Sequence, residues 1–174
     1  MNYAEIKTTD IANGEGVRVS LFVSGCTHHC KNCFNSIAWD FEYGKPFMRE
    51  TQEMLMQALA PDYIAGLSLL GGEPFEPQNQ RGLLPFVERM KKEFPHKTVW
   101  CYTGYTFRGD GELNEERANC EVTKKLMSYI DVLVDGRFVE ELKDIRLKFR
   151  GSSNQRIIDV KRSIERNSIV LYLT

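Results

Sequence analysis

Four short apolar runs, each closed by a glycine-bearing turn and separated by stretches of helical periodicity, set the architecture open to this chain. Arg18 to Val23 (RVSLFV) ends in Ser24-Gly25, and Gly66 to Leu70 ends in Gly71-Gly72. Thr98 to Tyr102 ends in Thr103-Gly104-Tyr105, and Ile130 to Val134 ends in Asp135-Gly136. Short runs rich in β-branched and aromatic residues, bounded by such turns, read as buried strands. Between them, Glu50 to Ala60 sets Met54, Leu55 and Leu59 at helical spacing before Pro61. Gly82 to Phe94 puts Leu83, Phe86, Val87 and Met90 on one face, and Glu121 to Tyr129 is helical too. Strands joined by helical crossovers run parallel, and such sheets bind ligands beyond the strand C-termini. The expectation is an α/β fold with its site among the four turns. Arg108 to Asn119 reads as a polar loop, and Arg156 to Val160 and Ser168 to Leu173 as short strands around a helical Lys161 to Glu165.

Composition narrows the class. The 174 residues suit a single domain spanning 1–174, since domains typically run to roughly 100–200 residues; no internal repeat or linker divides them. A formal net charge of -1 supplies no field for nucleic acid or an anionic membrane. Met1 to Asp10 lacks the basic start and apolar run of a signal peptide. No stretch offers the about 18 uninterrupted apolar residues of a membrane span. The five cysteines are odd in number and three fall within eight residues, a pattern of metal or redox chemistry in a reducing cytoplasm rather than of a disulfide framework.

Those three are Cys26, Cys30 and Cys33 in C-T-H-H-C-K-N-C, directly after the first strand. Three thiolates on one tight loop can meet on one metal centre and leave a fourth coordination position open. Iron–sulfur clusters usually take four cysteines, so a compact set of three suggests one iron reserved for an exogenous ligand. The alternative is zinc, with His28 or His29 completing a Cys3His set. Structural zinc sites normally split their ligands into two separated pairs, however, and no second C-x2-C follows. Buried core cysteines are disfavoured by the polarity of the loop.

The C-x3-C-x2-C loop after the first strand resembles the signature of the radical S-adenosylmethionine superfamily, and Gly71-Gly72-Glu73-Pro74 resembles its second mark. The resemblance narrows to activating enzymes of anaerobic ribonucleoside-triphosphate reductase through Asn13 to Arg18 (NGEGVR), Phe22 to Cys26 (FVSGC), His28, Asn35 and Trp39. It continues through Tyr102 to Tyr105 (YTGY), Val134 to Phe138 (VDGRF) and Arg150 to Gln155 (RGSSNQ). The order and spacing of these segments span nearly the whole chain. Asn32, where much of the superfamily has an aromatic, and the long segment from Arg108 to Cys120 depart from the pattern.

The resemblance implies a partial (β/α) barrel of mainly parallel strands. It implies a [4Fe-4S] cluster on Cys26, Cys30 and Cys33, with S-adenosyl-L-methionine chelating the open iron. Reductive cleavage would give a radical that takes hydrogen from a glycine of the reductase large subunit, with a low-potential donor such as flavodoxin supplying the electron. Within that reading, Gly71, Gly72 and Glu73 receive the methionyl end, the glycines letting backbone approach closely and the carboxylate accepting from the α-ammonium group. The backbone of Asn32, Cys33 and Phe34 lines the adenine, and Asp135 with Arg137 holds the ligand carboxylate. A pyruvate formate-lyase type activase is the nearest other member, but the chain is short for one and its TGY and RGSSNQ segments point elsewhere. Thr103 either touches ligand or satisfies its own turn. His28 is a candidate donor near the cluster, His29 and His96 face solvent, Cys101 and Cys120 are structural, and Arg150 to Gln155 is a candidate docking loop for the reductase.

Overall fold

The computed structural model describes all 174 residues. In chain order the strands and helices are β1 (Asn2–Asp10), β2 (Val17–Val23), β3 (Lys45–Pro46), α1 (Arg49–Leu59), β4 (Ile64–Gly71) and α2 (Pro77–Glu93). They continue with β5 (Thr98–Tyr102), α3 (Thr123–Tyr129), β6 (Val132–Asp135), β7 (Arg156–Asp159), α4 (Val160–Arg166) and β8 (Leu171–Leu173). All eight strands join one sheet in the order β3-β1-β2-β4-β5-β6-β7-β8. The expected strands and helices are present. α2 begins a turn before its apolar periodicity, where Pro77 occupies the first turn and supplies a backbone angle already suited to a helix.

The α/β class stands, but the strands are not mainly parallel and the sheet is not a closed barrel. Parallel pairing is confined to β2, β4, β5 and β6, which are linked by the crossover helices α1, α2 and α3. β1, β3, β7 and β8 extend both sides antiparallel. For β1 and β2, connection length gives the reason: the short link between them turns the chain back, whereas a parallel neighbour needs a long crossover. β1 itself has the polar and apolar alternation of a strand and is followed by the turn dipeptide Asn13-Gly14, signals that mark it as a strand paired back onto β2 although the four-run pattern does not include it.

All four helices pack on one face of the sheet. Val19, Leu21 and Val23 of β2, Leu67 and Leu69 of β4, Val99 and Cys101 of β5 and Leu133 of β6 meet Leu55 and Leu59 of α1, Leu83, Phe86, Val87 and Met90 of α2, Leu126 of α3 and Val160 of α4. Side chains alternate along a strand, so the residues between these point to the other face. That face carries no helix. Its row Phe22, Leu70, Tyr102 and Val134, one residue from each parallel strand and in register, is left to line a cavity.

Near the other end of the same face lies Arg18, a large buried cation with no carboxylate partner. Its guanidinium donates to Ser68 Oγ, Thr98 Oγ1 and the carbonyl oxygens of Glu15, Leu67 and Thr98, tying the starts of β2, β4 and β5 together. Burial pulls its pKa down to about 10, still far above neutrality. Arg18→Met is expected to leave these acceptors unmatched and lower stability by roughly 3 kcal/mol. Thermal denaturation should register a fall of roughly 10 °C for a chain of this length; an unchanged midpoint would show that the network is dispensable.

Candidate functional site

A cavity of about 490 Å³ opens at the C-terminal ends of the parallel strands and runs onto the helix-free face. That volume lies within the roughly 300–1,000 Å³ of small-molecule sites. Cys26, Cys30, Cys33 and Phe34 line it from the loop after β2, and Gly71, Gly72 and Glu73 from the turn after β4. Thr103 and Gly104 after β5 and Gly136 after β6 complete the ring of turns. The twenty residues between β6 and β7 contribute Phe138, Leu147, Phe149, Arg150, Gly151 and Gln155. Asn32, Asp135 and Arg137 do not line the cavity.

Five free thiols are present, including those of Cys26, Cys30 and Cys33. No three His, Cys, Asp or Glu side chains are preassembled at metal-ligand spacing. Burial pushes the Cys26 thiol up to about 12 and raises that of Cys30. Both are therefore neutral thiols in the metal-free protein, and a metal must displace their protons as it draws the sulfurs together. The loop is short and turned back on itself, with Cys33 N–H donating to Cys30 C=O at 3.2 Å and left-handed backbone at His29 and Asn32, φ +52° and +57°. Left-handed φ favours asparagine over a bulky aromatic, which gives a local reason for Asn32. Three soft donors on one loop facing a shared cavity, with no fourth cysteine in it, suit a cluster that keeps one iron open.

The two glycines after β4 do more than approach a ligand. A side chain at Gly71, φ +107°, would stand 2.7 Å from the main chain of Val23, and one at Gly72 2.6 Å from the carbonyl oxygen of Gly25. Their absence of Cβ lets the turn lie against the cysteine loop, with Gly72 N–H donating to Val23 C=O at 2.7 Å and Glu73 N–H to Gly25 C=O at 2.8 Å.

Glu73, 1 % exposed, joins three turns through its carboxylate. Oε1 accepts from Phe75 N–H and from Thr103 Oγ1, both at 2.8 Å. Oε2 accepts from Gly104 N–H at 2.7 Å and contacts His28 Nε2 at 2.8 Å. Thr103 thereby serves its own turn as well, accepting from Tyr105 N–H. His28 is held edge-on to Tyr105 with ring centres 4.4 Å apart, while His29 lies flat on Trp39. Neither histidine is disposed with the cysteines as a zinc ligand. Cys101 is fully buried in the helix-facing core, and Cys120 sits beside Gln80.

Asp135, also 1 % exposed, is engaged by Arg156 at 2.6 and 3.0 Å and by Phe107 N–H. Arg137 lies outside the cavity in an ion pair with Glu115 at 3.0 Å. Glu115 also holds Arg117, which reaches Thr27 Oγ1 on the cysteine loop. The long 108–120 segment thus braces the rim. The Arg150 to Gln155 loop is turned inward: Asn154 donates to Arg137 C=O and Gln155 to Gly136 C=O. Sequence reading missed the row Phe22, Leu70, Tyr102 and Val134. Alternation along each assigned strand would have found it, because these are the last residues opposite the helix-facing set.

The cysteine-lined cavity at the C-terminal ends of the four parallel strands belongs to an α/β domain, and the family match gives its class as an iron–sulfur domain. The chain matches the family described as "4Fe-4S single cluster domain" over residues 12–158. It is 45% identical over 157 residues to the anaerobic ribonucleoside-triphosphate reductase-activating protein of Pasteurella multocida, covering 89% of this chain and 95% of the relative. The proteins of the same name from Escherichia coli K12 and from enterobacteria phage T4 are 41% and 38% identical, with 96% and 93% of those chains covered. The chain belongs to the family of anaerobic ribonucleoside-triphosphate reductase-activating proteins.

Proposed function

We propose that this protein activates an anaerobic ribonucleoside-triphosphate reductase by generating a glycyl radical on its large subunit, using S-adenosyl-L-methionine and a [4Fe-4S] cluster. The observation that carries this reading is one cavity shared by Cys26, Cys30 and Cys33 and by the Gly71-Gly72-Glu73 turn, in a chain of this family. The helix-free face, with its row Phe22, Leu70, Tyr102 and Val134, is then the inner wall of a partial barrel. When bound, the cluster supplies one electron that cleaves the sulfonium C5′–S bond, giving methionine and a 5′-deoxyadenosyl radical that takes hydrogen from glycine Cα.

The chain's own residues bind, orient and exclude water. Cys26, Cys30 and Cys33 would hold the cluster. The main chain of Asn32, Cys33 and Phe34 borders the adenine, and the turn after β4 receives the methionyl end. Arg137 exchanges Glu115 for the ligand carboxylate, and Asp135, gripped by Arg156 and Phe107 N–H, keeps the turn after β6 in place. Phe34 lines the cavity yet is 74% exposed, with Phe138 against it and Lys143 over its ring; such a surface suits a protein substrate at the mouth. No helix is long and apolar enough to cross a membrane. In this reading the protein works in an anaerobic cytoplasm, fed by a low-potential donor such as flavodoxin.

The test is an anaerobic reaction of reconstituted, reduced protein with S-adenosylmethionine and the reductase, read by electron paramagnetic resonance. A glycyl-radical doublet is the expected result. Its absence from protein that is colourless and binds stoichiometric zinc would overturn the assignment. Aeration should bleach the cluster absorbance, because an iron without a protein ligand is open to oxygen.

A further inference from the structure

We infer that His28 Nδ1 is the side-chain acceptor for the α-amino group of S-adenosylmethionine, and that Glu73 serves this contact by fixing the histidine rather than by touching the ligand. The inference rests on the proposed use of S-adenosylmethionine. It starts from the hydrogen-bond capacity of Glu73. A carboxylate offers about four acceptor sites. All four are taken by Phe75 N–H, Thr103 Oγ1, Gly104 N–H and His28 Nε2, at 2.7 to 2.8 Å, in a side chain 1 % exposed. An incoming amino group finds no free lone pair there.

His28 has one. Its side chain is 3% exposed and borders the same cavity as the three cysteines. Nε2 must donate, since its partner is a carboxylate, so in the neutral ring Nδ1 carries the lone pair. Nδ1 is buried and has no partner in the protein. A buried acceptor without a donor is costly, and a ligand that supplies one removes the cost. The ring cannot swing away: the edge-on contact with Tyr105 and the close approach of Gly104, where a Cβ would stand 2.6 Å from the ring, hold it. An α-amino group donates N–H both as a free ammonium and as a metal-bound amine, and His28 is the middle one of the three residues between Cys26 and Cys30.

Two substitutions separate this role from mere support. Glutamine places its amide nitrogen where histidine has Nε2, and so keeps the donor to Glu73 while losing the acceptor. Asparagine places its amide oxygen where histidine has Nδ1, keeping the acceptor and losing the Glu73 contact. Equilibrium binding of S-adenosylmethionine is measured on anaerobic, cluster-loaded protein alongside cluster absorbance and melting temperature. His28→Gln is expected to match wild type in absorbance and melting yet bind at least about tenfold more weakly, the value of one lost hydrogen bond to a charged group. His28→Asn is expected to melt earlier but to keep affinity within about threefold. Wild-type affinity in His28→Gln overturns the inference, as does a loss in cluster-loaded His28→Asn equal to that in His28→Gln. Should His28→Asn fail to load a cluster, His28→Gln alone decides. Cluster-loaded wild-type protein that does not bind S-adenosylmethionine overturns the cofactor reading and this inference together.

Discussion

Replacing Cys26, Cys30 or Cys33 with alanine, one at a time, is expected to abolish cluster retention and reduce glycyl-radical yield to background. Each sits on one eight-residue loop and lines the same cavity, and no fourth cysteine there can substitute. Cys101 is buried in the core on the opposite face, and Cys120 lies beside Gln80. Cys101→Ala and Cys120→Ala are therefore the matched comparisons, expected to keep iron content and absorbance near wild type. Iron and sulfide analysis after anaerobic reconstitution reads the result directly. A Cys30→Ala protein that retains four irons and full absorbance would remove the loop as the cluster's ligand set.

The second large effect is expected at Glu73, and it falls on stability as well as activity. Glu73→Ala strips the partner from two backbone N–H groups, a threonine hydroxyl and a histidine, all in the interior between three turns. Unsatisfied donors of this kind cost about 1–3 kcal/mol each, and partial relaxation brings the expected sum to about 4 kcal/mol. The melting temperature should fall by roughly 10 °C or more, and the cysteine loop should hold its cluster less well. Glu73→Gln retains one acceptor oxygen and is expected to lose about half as much. Differential scanning calorimetry on the metal-free protein separates this from a ligand role: a carboxylate that only met the cofactor would leave the metal-free midpoint unmoved.

Much of this molecule is legible in its sequence. The four runs ending in glycine-bearing turns became β2, β4, β5 and β6, because short β-rich segments bounded by helical periodicity leave parallel pairing as the economical arrangement. The cysteine loop was equally plain, since three soft ligands at close spacing have few other uses, and the long run of family motifs named its setting. Those features are local: each is carried by residues adjacent in sequence.

Tertiary structure decided what distant residues do to one another. That Glu73 would be saturated by residues two, thirty and forty-five positions away follows from the packing of turns after β2, β4 and β5, which no spacing rule encodes. Asp135 and Arg137, read as a pair two residues apart, meet different partners, Arg156 and Glu115, because β6 ends at Asp135 and Gly136, φ +99°, turns the chain out of the strand before Arg137, so the i, i+2 rule that would put both on one face no longer holds. The inward turn of Asn154 and Gln155 onto Gly136 and Arg137 likewise depends on β7 pairing antiparallel with β6. The sequence by itself determined the order of the four parallel strands and their crossover helices, through local periodicity, and the close spacing of Cys26, Cys30 and Cys33 on one loop. The mixed sheet, its helix-free face and the saturation of Glu73 beside an unpartnered His28 Nδ1 arise only when the chain closes on itself, because hydrogen-bond capacity is shared out among residues that meet in space.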